Sequence, residues 1–441
     1  MIKVAKFGGS SVASAEQFRK VKSIIQADPD RRFVVVSAAG KRFSDDNKIT
    51  DLLLLANAHI QYHVDAQPLL SQIEQRFVEI AKALDLRYPV AEKFEEFSSV
   101  VTSLSPEYIV SRGEFFTGQL MAEYLGLPFV DASDTIVFHH DNTVDFERTA
   151  MRVKEAAQRN PRGFLLPGFY GCTVDGTVKL FQRGGGDITG AVLARCLEAN
   201  VYENWTDVPG FLSADPHVVD MPRAIHRITF DEMRELSYMG ASVLQEDSIF
   251  PVREANIPIQ IKDTNSPDRK GTIIRETAEE REVEHLITGI AGRKDFTAVH
   301  IQKTHMSDKV GIVRSALSVF ERYGVSIEHL PTGVDSFGIV VNSADVKDKI
   351  YPIITDLRRE VAPDDITVTD KLALISIVGR NLRRRPGSSG LIFGVLGKAG
   401  INIRLITQSS QEISIIVGVD NDDFERAIRV MYDGFAAHEK V

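Results

Sequence analysis

The sequence predicts an α/β protein: a three-layer sandwich with a mainly parallel sheet, followed by two smaller α+β units. Three observations support this fold class. Strand-like and helical segments alternate up to about residue 275, which is typical of a parallel sheet covered by helices on both faces. An acidic stretch, residues 276–284, interrupts the alternation. Beyond it the chain contains an internal repeat.

Short apolar runs rich in β-branched and aromatic residues predict the strands. These are Val4–Phe7, Phe33–Ser37, Phe129–Asp131, Thr135–Phe138, Gly163–Leu166, Val178–Phe181, Val201–Asn204 and Pro258–Lys262. Helical patterns lie between them, at Ala15–Gln26, Ile49–Ala58, Leu69–Leu84, Arg112–Leu125, Phe146–Gln158, Ile188–Ala199, Phe230–Tyr238 and Ser248–Ala255. In a sheet of this kind ligands bind at the carboxyl ends of the strands.

The repeat follows the acidic stretch, which we interpret as a domain boundary. Gly311 and Gly324 recur at one constant spacing as Gly387 and Gly400, each pair followed by similar apolar residues. Each copy has the pattern strand, helix, glycine turn, strand, strand, helix, which predicts two βαββαβ units. We therefore expect domains at residues 1–280, 285–370 and 371–441.

Composition excludes several functional classes. The net charge of −9 argues against nucleic acid as a partner. No apolar run approaches the roughly 20 residues of a membrane span, and the N-terminus lacks the layout of a signal peptide. Two cysteines make no disulfide framework. We expect a reduced, cytoplasmic protein that does not bind membranes.

The first candidate site lies at the N-terminus, MIKVAKFGGSSV. Lys6 stands near the end of a predicted strand, and Gly8 and Gly9 follow it before a helix begins. One interpretation is a plain strand–turn–helix joint with a serine N-cap. The other is an anion cradle, because glycines, a helix N-terminus and a lysine together favour phosphate.

Four further segments are candidates, each with a simpler structural alternative. The strand VVVSAAG and the later Ile49-Thr50-Asp51 are also consistent with ordinary turns. A glutamate within Ser111–Glu114 would complement a helix dipole in the first turn. In Arg183–Asp187 an arginine adjoins three glycines, although Asp187 is also a candidate cap for a helix starting at Ile188. The segment Trp205–Gly210, with Ala214–Pro216 after it, favours a purine-binding loop or a Pro-Gly turn. The histidines lack metal-ligand spacing, so no metal site is predicted.

Taken in order, KFGGSSV, VVVSAAG…ITD, SRGE, PGFYG, RGGGD and ENWTDVPGFLSADP resemble the motifs of the aspartate kinases, within the amino-acid kinase superfamily. The C-terminal repeat resembles that family's pair of ACT regulatory units, so the resemblance covers the whole chain. The length of the chain resembles that of the monofunctional enzymes of this family. The resemblance implies the amino-acid kinase fold and phosphorylation of the L-aspartate side-chain carboxylate by ATP. The product, 4-phospho-L-aspartate, begins lysine, threonine and methionine biosynthesis.

The resemblance also implies residue roles. Lys6 would neutralise the phosphates, held in place by Asp187, and magnesium would bridge phosphate oxygens without a protein cage. Further nucleotide contacts would come from Gly8, Gly9, Ser10, Thr206, Asp207, Phe211 and Asp215. Aspartate would be bound by Arg183 at its α-carboxylate and Glu114 at its α-ammonium, in a pocket lined by Ser37, Thr50 and Phe169.

For the first ACT-like unit we expect an amino-acid effector site. It would be formed by Met306, Val325, Ser326 and Glu328, and the effector would be lysine, with threonine as the alternative. Exposed strand edges of such units predict at least a homodimer, or a dimer of dimers.

Three departures from the family pattern leave alternatives open. Gly186, His217 and Ser242 stand where the family commonly has serine, arginine and lysine. One alternative is an ACT-linked amino-acid sensor with a degenerate kinase domain. Another is a kinase acting on glutamate or N-acetylglutamate, although the ACT pair and Ser111–Glu114 disfavour it.

Overall fold

The computed structural model describes residues 1–182, 184–241, 243–244, 246–277 and 285–439. The chain forms two compact units. The first comprises Met1–Phe211, His226–Phe230 and Val243–Ala278, and the second comprises Leu212–Ile225, Asp231–Ser242 and Glu279–Val441. Most of the predicted acidic linker, residues 278–284, lies outside the described residues.

Between residues 3 and 275 the described part of the chain contains ten strands and ten α-helices. The strands are β1 (Lys3–Phe7), β2 (Phe33–Val36), β3 (Val137–Phe138), β4 (Phe164–Pro167), β5 (Tyr170–Thr173), β6 (Val178–Leu180), β7 (Val201–Thr206), β8 (Arg227–Thr229), β9 (Ile259–Asp263) and β10 (Thr272–Arg275). The helices are α1 (Ala15–Gln26), α2 (Ile49–Gln61), α3 (Gln67–Ala83), α4 (Val90–Ser99), α5 (Pro106–Leu125), α6 (Ala132–Thr135), α7 (Phe146–Arg159), α8 (Gly185–Cys196), α9 (Phe230–Tyr238) and α10 (Phe250–Glu254).

A seven-stranded sheet forms the centre of the first unit, in the order β4-β2-β1-β7-β9-β10-β8. Every neighbouring pair in it is parallel except β9 and β10. Residues Phe33–Val36 of β2 are all buried, as expected for a parallel strand covered on both faces. The mainly parallel sheet predicted from the sequence is thus confirmed. A small second sheet has the order β3-β5-β6.

The register of β1 determines where the strand-end loops lie. Phe7 is paired with Val36 of β2 and with Trp205 of β7. Ala5 and Phe7 contribute to the apolar core that includes α1, α2, α3 and α5. Because side chains alternate along a strand, Lys6 points to the opposite face, where α8 packs on β1.

Several predicted elements differ from the structure. Phe129–Asp131, predicted as a strand, contributes an isolated bridge between Phe129 and Leu165. The predicted strand Thr135–Phe138 is divided between α6 and β3. Helix α5 begins at Pro106, six residues before its predicted start, because Ser105 caps it by accepting a hydrogen bond from the Tyr108 N–H at 3.2 Å. The sequence analysis did not predict α4, β5, β8 or β10.

The second unit contains the repeat. Its elements are β11 (Gly289–Gln302), α11 (Ile312–Arg322), β12 (Ser336–Asn342), α12 (Ser343–Val346), α13 (Ile350–Glu360), β13 (Asp365–Val378), α14 (Ser388–Lys398), β14 (Leu405–Gln408), β15 (Ser414–Asp420) and α15 (Phe424–Glu439). The five strands form one antiparallel sheet in the order β12-β11-β13-β15-β14.

Both β11 and β13 run through the two copies of the repeat. The pairing of β11 with β13 shifts register between Arg293 and Ala298. On one side of this shift, Ile290 belongs to the apolar core that contains α14 and α15. On the other side, Val299 belongs to the core that contains α11 and α13. The first half of β11 therefore completes the sheet of the second copy, which the prediction of two consecutive βαββαβ units did not anticipate.

Among the described residues, no helix combines the length and apolar character needed to cross a bilayer.

Gly190 lies where α8 packs closely on β7, and substitution of this glycine tests that packing. An alanine in an exposed helix interior stabilises a protein by up to about 1 kcal/mol relative to glycine. At Gly190, however, a Cβ atom would lie 2.6 Å from Cε2 of Tyr202. We expect Gly190→Ala to lower the free energy of unfolding by about 1–3 kcal/mol, measured by chemical denaturation followed by circular dichroism. Gly397→Ala in α14, where the described residues leave the Cβ position open, is the control. A stabilised Gly190→Ala protein would contradict this packing.

Candidate active site

Lys6 and Asp187 form a buried ion pair at the carboxyl end of the central sheet. The Lys6 Nζ atom lies 2.5 Å from Asp187 Oδ1, and the Lys6 side chain is 8% exposed. Asn204 of β7, the register partner of Lys6, donates from Nδ2 to the same Asp187 oxygen at 2.7 Å. The carboxylate thus holds the ammonium and is itself held by the neighbouring strand. The sequence analysis did not identify Asn204, which becomes visible only through strand pairing.

The N-terminus of α8 brings Asp187 to this position. The helix begins at Gly185, with Gly184 as N-cap in the left-handed region at φ +60°, a conformation that favours glycine. The prediction that Asp187 caps a helix starting at Ile188 is therefore wrong, because Asp187 lies within the first turn and its carboxylate contacts Lys6 and Asn204. Arg183, the predicted clamp for the substrate α-carboxylate, lies outside the described residues.

Residues Gly8–Ser10 lie beside the ion pair. The Gly8 N–H donates to the Trp205 carbonyl at 3.0 Å, and a Cβ atom on Gly8 would lie 3.6 Å from Lys6 Nζ. Gly9 opens a short 3-10 turn, and α1 begins at Ala15 after the N-cap Ser14. A Cβ atom on Gly9 would lie 2.9 Å from the Ala38 carbonyl oxygen, so the two strand-end loops are packed without room for a side chain.

The proposed aspartate pocket lies next to these loops. Ser37 follows β2, and its amide donates to the Phe7 carbonyl at 3.1 Å. A Cβ atom on Gly186 would lie 2.6 Å from Ser37 Oγ, so the serine that the family carries at this position would displace Ser37. Phe169 has φ +78°, and its amide donates to Thr189 Oγ1 at 2.9 Å. Thr50 lies half-buried in the first turn of α2.

Glu114 is the most perturbed carboxyl group of this region. It lies inside α5 rather than in its first turn, so the predicted role in complementing the helix dipole is wrong. Glu114 is 5% exposed, and among the described residues its Oε2 atom has no hydrogen-bond partner. Burial raises the pKa of Glu114 to about 8, although the Ala38 N–H and the Arg112 guanidinium oppose this increase. In the absence of a bound cation this carboxyl group is mostly protonated at neutral pH.

The candidate nucleotide residues occupy different environments. Thr206 and Asp207 lie at the end of β7, where Thr206 Oγ1 donates to Asp207 Oδ1 at 3.2 Å. Phe211 is 1% exposed, and its amide donates to Thr272 Oγ1 at 2.9 Å. Asp215 belongs to the second unit and is exposed. Ser242 lies outside the described residues.

Trp205 is a core residue of the first unit. It is 1% exposed, its ring stacks on that of Phe7 with centroids 5.9 Å apart, and its Nε1 atom donates to Glu203 Oε2 at 2.9 Å. The indole is therefore used for packing.

The candidate effector residues surround the first glycine turn of the repeat. Met306 packs half-buried against the apolar cluster that contains Val325. Ser326 is exposed. Glu328 Oε2 accepts a hydrogen bond from the Tyr238 hydroxyl at 2.5 Å. Burial and this glutamate raise the pKa of Tyr238 to about 12. Tyr238, from α9, was not predicted, because no local pattern connects it with Glu328.

Comparison with protein families defines the class of the molecule. Residues 1–263 match the model described as the amino acid kinase family, and residues 375–435 match an ACT domain. The chain is thus an amino acid kinase with a C-terminal ACT region, as the fold and the strand-end site indicate.

Relatives that match along the whole chain indicate which family within this class the chain resembles. The chain is 34% identical over 451 residues to aspartokinase 3 of Bacillus subtilis, with 99% of each chain covered. The crystal structure of Clostridium acetobutylicum aspartate kinase, an allosteric enzyme, is 41% identical with a TM-score of 0.91, and 98% of this chain and 99% of that chain are covered. Escherichia coli aspartokinase III, in complex with aspartate and ADP, shares the fold at 23% identity and a TM-score of 0.74, with 99% of this chain and 100% of that chain covered. The chain belongs to the aspartokinase family, which confirms the resemblance found in the sequence.

The raised pKa of Glu114 predicts a pH dependence of stability. The folded protein retains this proton up to about pH 8, whereas an unfolded glutamate loses it near its usual value of 4.5. The Glu114 contribution to stability is therefore complete below about pH 4.5 and is lost as the pH rises through 8. Relative to Glu114→Gln, we expect the wild-type free energy of unfolding to fall by up to about 1.4 kcal/mol per pH unit between those values.

Urea denaturation of both proteins at a series of pH values measures this difference. Glu107→Gln, which changes a carboxyl group in the first turn of the same helix, is the control and should not reproduce the trend. A constant difference between wild type and Glu114→Gln across this pH range would show that Glu114 has an ordinary pKa.

Proposed function

We propose that this chain transfers the terminal phosphoryl group of ATP to the side-chain carboxylate of L-aspartate, giving ADP and 4-phospho-L-aspartate. This reaction opens lysine, threonine and methionine biosynthesis. Membership in the aspartokinase family supports the reaction type. The observation that carries the proposal is the buried Lys6–Asp187 pair at the strand ends, because phosphoryl transfer depends mainly on positioned positive charge.

In this proposal Lys6 neutralises the charge that develops on the transferring phosphoryl group and its leaving oxygen. Asp187 keeps the ammonium in place and Asn204 keeps Asp187 in place, so the cation needs little reorganisation when substrate binds. Gly8, Gly9 and Ser10 bring their backbone close to the phosphates. The aspartate carboxylate is already ionised at neutral pH. The reaction therefore requires no general base.

Aspartate would bind in the pocket formed by Ser37, Thr50 and Phe169. Its α-ammonium would pair with Glu114, which loses its proton when the cation arrives because an adjacent positive charge lowers the pKa of a carboxyl group. Its α-carboxylate would pair with Arg183, whose planar guanidinium suits a two-point contact.

Thr206, Asp207, Phe211 and Asp215 would contact the nucleotide, which enters as the magnesium complex of ATP. Among the described residues no group of three His, Cys, Asp or Glu side chains is arranged to hold a metal ion. In our proposal magnesium is bound by phosphate oxygens and belongs to the substrate.

We further propose feedback inhibition by lysine, with threonine as the alternative, at Met306, Val325, Ser326 and Glu328. The effector ammonium would replace the Tyr238 hydroxyl at Glu328. We also propose that the chain is divided into three domains, at residues 1–280, 285–370 and 371–441. We propose that it assembles as a homodimer or a dimer of dimers and that it is located in the cytoplasm. The outer strands β12 and β14 of the five-stranded sheet offer edges for association.

A degenerate kinase domain acting as a sensor is disfavoured by two features. The Lys6–Asp187 pair is complete. Gly186, one of the departures cited for degeneracy, lies where a Cβ atom would be 2.6 Å from Ser37 Oγ, so glycine avoids a shift of the Ser37 hydroxyl. Glycine at position 186 is therefore consistent with an active site whose packing has adapted to this residue.

The role of Lys6 predicts a loss of turnover on substitution. We expect Lys6→Ala to lower kcat by about 10²- to 10³-fold, the range found when one charge-stabilising group is removed from an active site. The measurement is aspartate-dependent ADP release, with glutamate as a parallel substrate and circular dichroism to verify folding. Lys3→Ala is the control, since Lys3 lies on the same strand but pairs with Asp28 at 2.7 Å. Wild-type turnover by a folded Lys6→Ala protein would refute the role.

The effector site predicts opposite effects for two substitutions. Glu328→Gln should abolish inhibition by lysine. Tyr238→Phe should lower the half-inhibitory lysine concentration by about two- to tenfold, because one hydrogen bond no longer competes with the effector. Kinase assays titrated with lysine and with threonine measure both effects.

Asn402→Ala is the matched control, since Asn402 occupies in the second copy the position that Ser326 occupies in the first. Absence of inhibition of the wild type at millimolar lysine and threonine would exclude both effectors.

A further inference from the structure

The segment Leu212–Ile225 directly follows the candidate nucleotide residue Phe211 and carries Asp215. It lies within the region that matches the amino acid kinase family, yet it belongs to the second compact unit. Within that unit it packs against α15 and the first half of β11, both of which are parts of the second ACT copy.

Two side chains of α15 hold the backbone of this segment. The Arg223 N–H donates to the Tyr432 hydroxyl oxygen at 2.9 Å, and Ser213 Oγ donates to the same hydroxyl at 3.5 Å. One turn earlier, Arg429 Nε donates to the Val218 carbonyl at 2.8 Å. The contacts with Arg223 and Val218 are made to main-chain atoms, so they fix the path of the segment on the C-terminal side of Asp215.

Apolar packing and further main-chain bonds complete the attachment. Ala214 and Val219 are 4% and 7% exposed and belong to the core that contains Met431 and Phe435. The Ile290 N–H donates to the Ser213 carbonyl at 2.8 Å, and the Arg223 guanidinium donates to the Ile287 carbonyl at 3.1 Å. The segment thus obtains its conformation from the folded second ACT copy.

We propose that α15 positions the Asp215 segment for the nucleotide, with Tyr432 and Arg429 as positioning residues for the kinase reaction. The inference rests on the proposed nucleotide role of Asp215. A segment that is ordered before binding loses less conformational entropy when the ligand arrives. Loosening its attachment should therefore weaken nucleotide binding while leaving phosphoryl transfer in the filled site unchanged.

The test uses the full-length protein with Tyr432→Phe, Arg429→Ala and the double variant. Titration calorimetry with the magnesium complex of ATP, without aspartate, measures the dissociation constant, and steady-state assays measure kcat and both KM values. We expect each single variant to raise the dissociation constant and the KM for ATP about two- to tenfold, the effect of one hydrogen bond. The kcat at saturating ATP and the KM for aspartate should change less than twofold. Arg429→Lys should restore part of the affinity.

Arg426→Ala is the matched control, because Arg426 lies on the same helix but donates from Nη2 to the Ala399 carbonyl at 2.7 Å. It perturbs the second ACT copy without touching the segment and should leave ATP affinity unchanged. Unfolding curves of all variants identify any loss of fold. An unchanged dissociation constant in the folded double variant, or an equal increase in Arg426→Ala, would overturn the proposal.

Asp215→Asn separates this proposal from the function on which it rests. If Asp215→Asn binds ATP normally while Tyr432→Phe binds it weakly, positioning by α15 stands and the role of Asp215 fails. If the wild type binds ATP but does not phosphorylate aspartate, the proposed function fails, and the calorimetric comparison still decides the positioning role.

Discussion

The buried ion pair between Lys6 and Asp187 is the interaction on which the arrangement of the kinase site depends. An ammonium group on a central strand costs free energy unless a partner compensates the lost hydration. Asp187 provides that partner only because α8 begins two residues before it, and Asn204 provides a second contact only because β7 is in register with β1. The strand order and the start of α8 are therefore both needed to position the partners of one charged group, the Lys6 ammonium.

The same constraint explains the glycines around the pair. Helix α8 approaches β1 and β2 so closely that a Cβ atom on Gly186 would lie 2.6 Å from Ser37 Oγ and 3.4 Å from Lys6 Cε. A Cβ atom on Gly168 would lie 2.9 Å from the Gly186 Cα. Glycine at positions 168 and 186 therefore allows α8 to lie close to β1 and β2, so that the charged and polar groups of these elements are neighbours. Glycine at position 186 thus allows α8 to lie close to both Lys6 and Ser37.

The sequence predicted what local patterns encode and missed what long-range pairing decides. Apolar runs identified the parallel strands, and α1 and α9 have their predicted boundaries. The start of α5 is encoded locally by Ser105-Pro106, a capping serine before a first-turn proline, although the helical pattern predicts a start at Arg112. Asn204, Tyr238 and Tyr432 acquire their roles through partners far away in the chain, and no periodicity reveals such partners. The crossing of β11 between two cores is likewise invisible to a repeat search.

That crossing has a consequence for how the second unit could transmit a signal. Strands β11 and β13 are continuous through both cores, so the turn at Val325–Glu328 packs on a sheet that the second copy shares. Helix α9 is tied to the same sheet, because Glu232 accepts hydrogen bonds from Thr288 Oγ1 at 2.6 Å and from Arg380 Nη1 at 3.0 Å. Packed residues and paired strands are the kind of physical network that can carry coupling between distant sites. Since Ala214 and Val219 belong to the second core, packed residues and paired strands connect the Val325–Glu328 turn with the Asp215 segment within one compact unit.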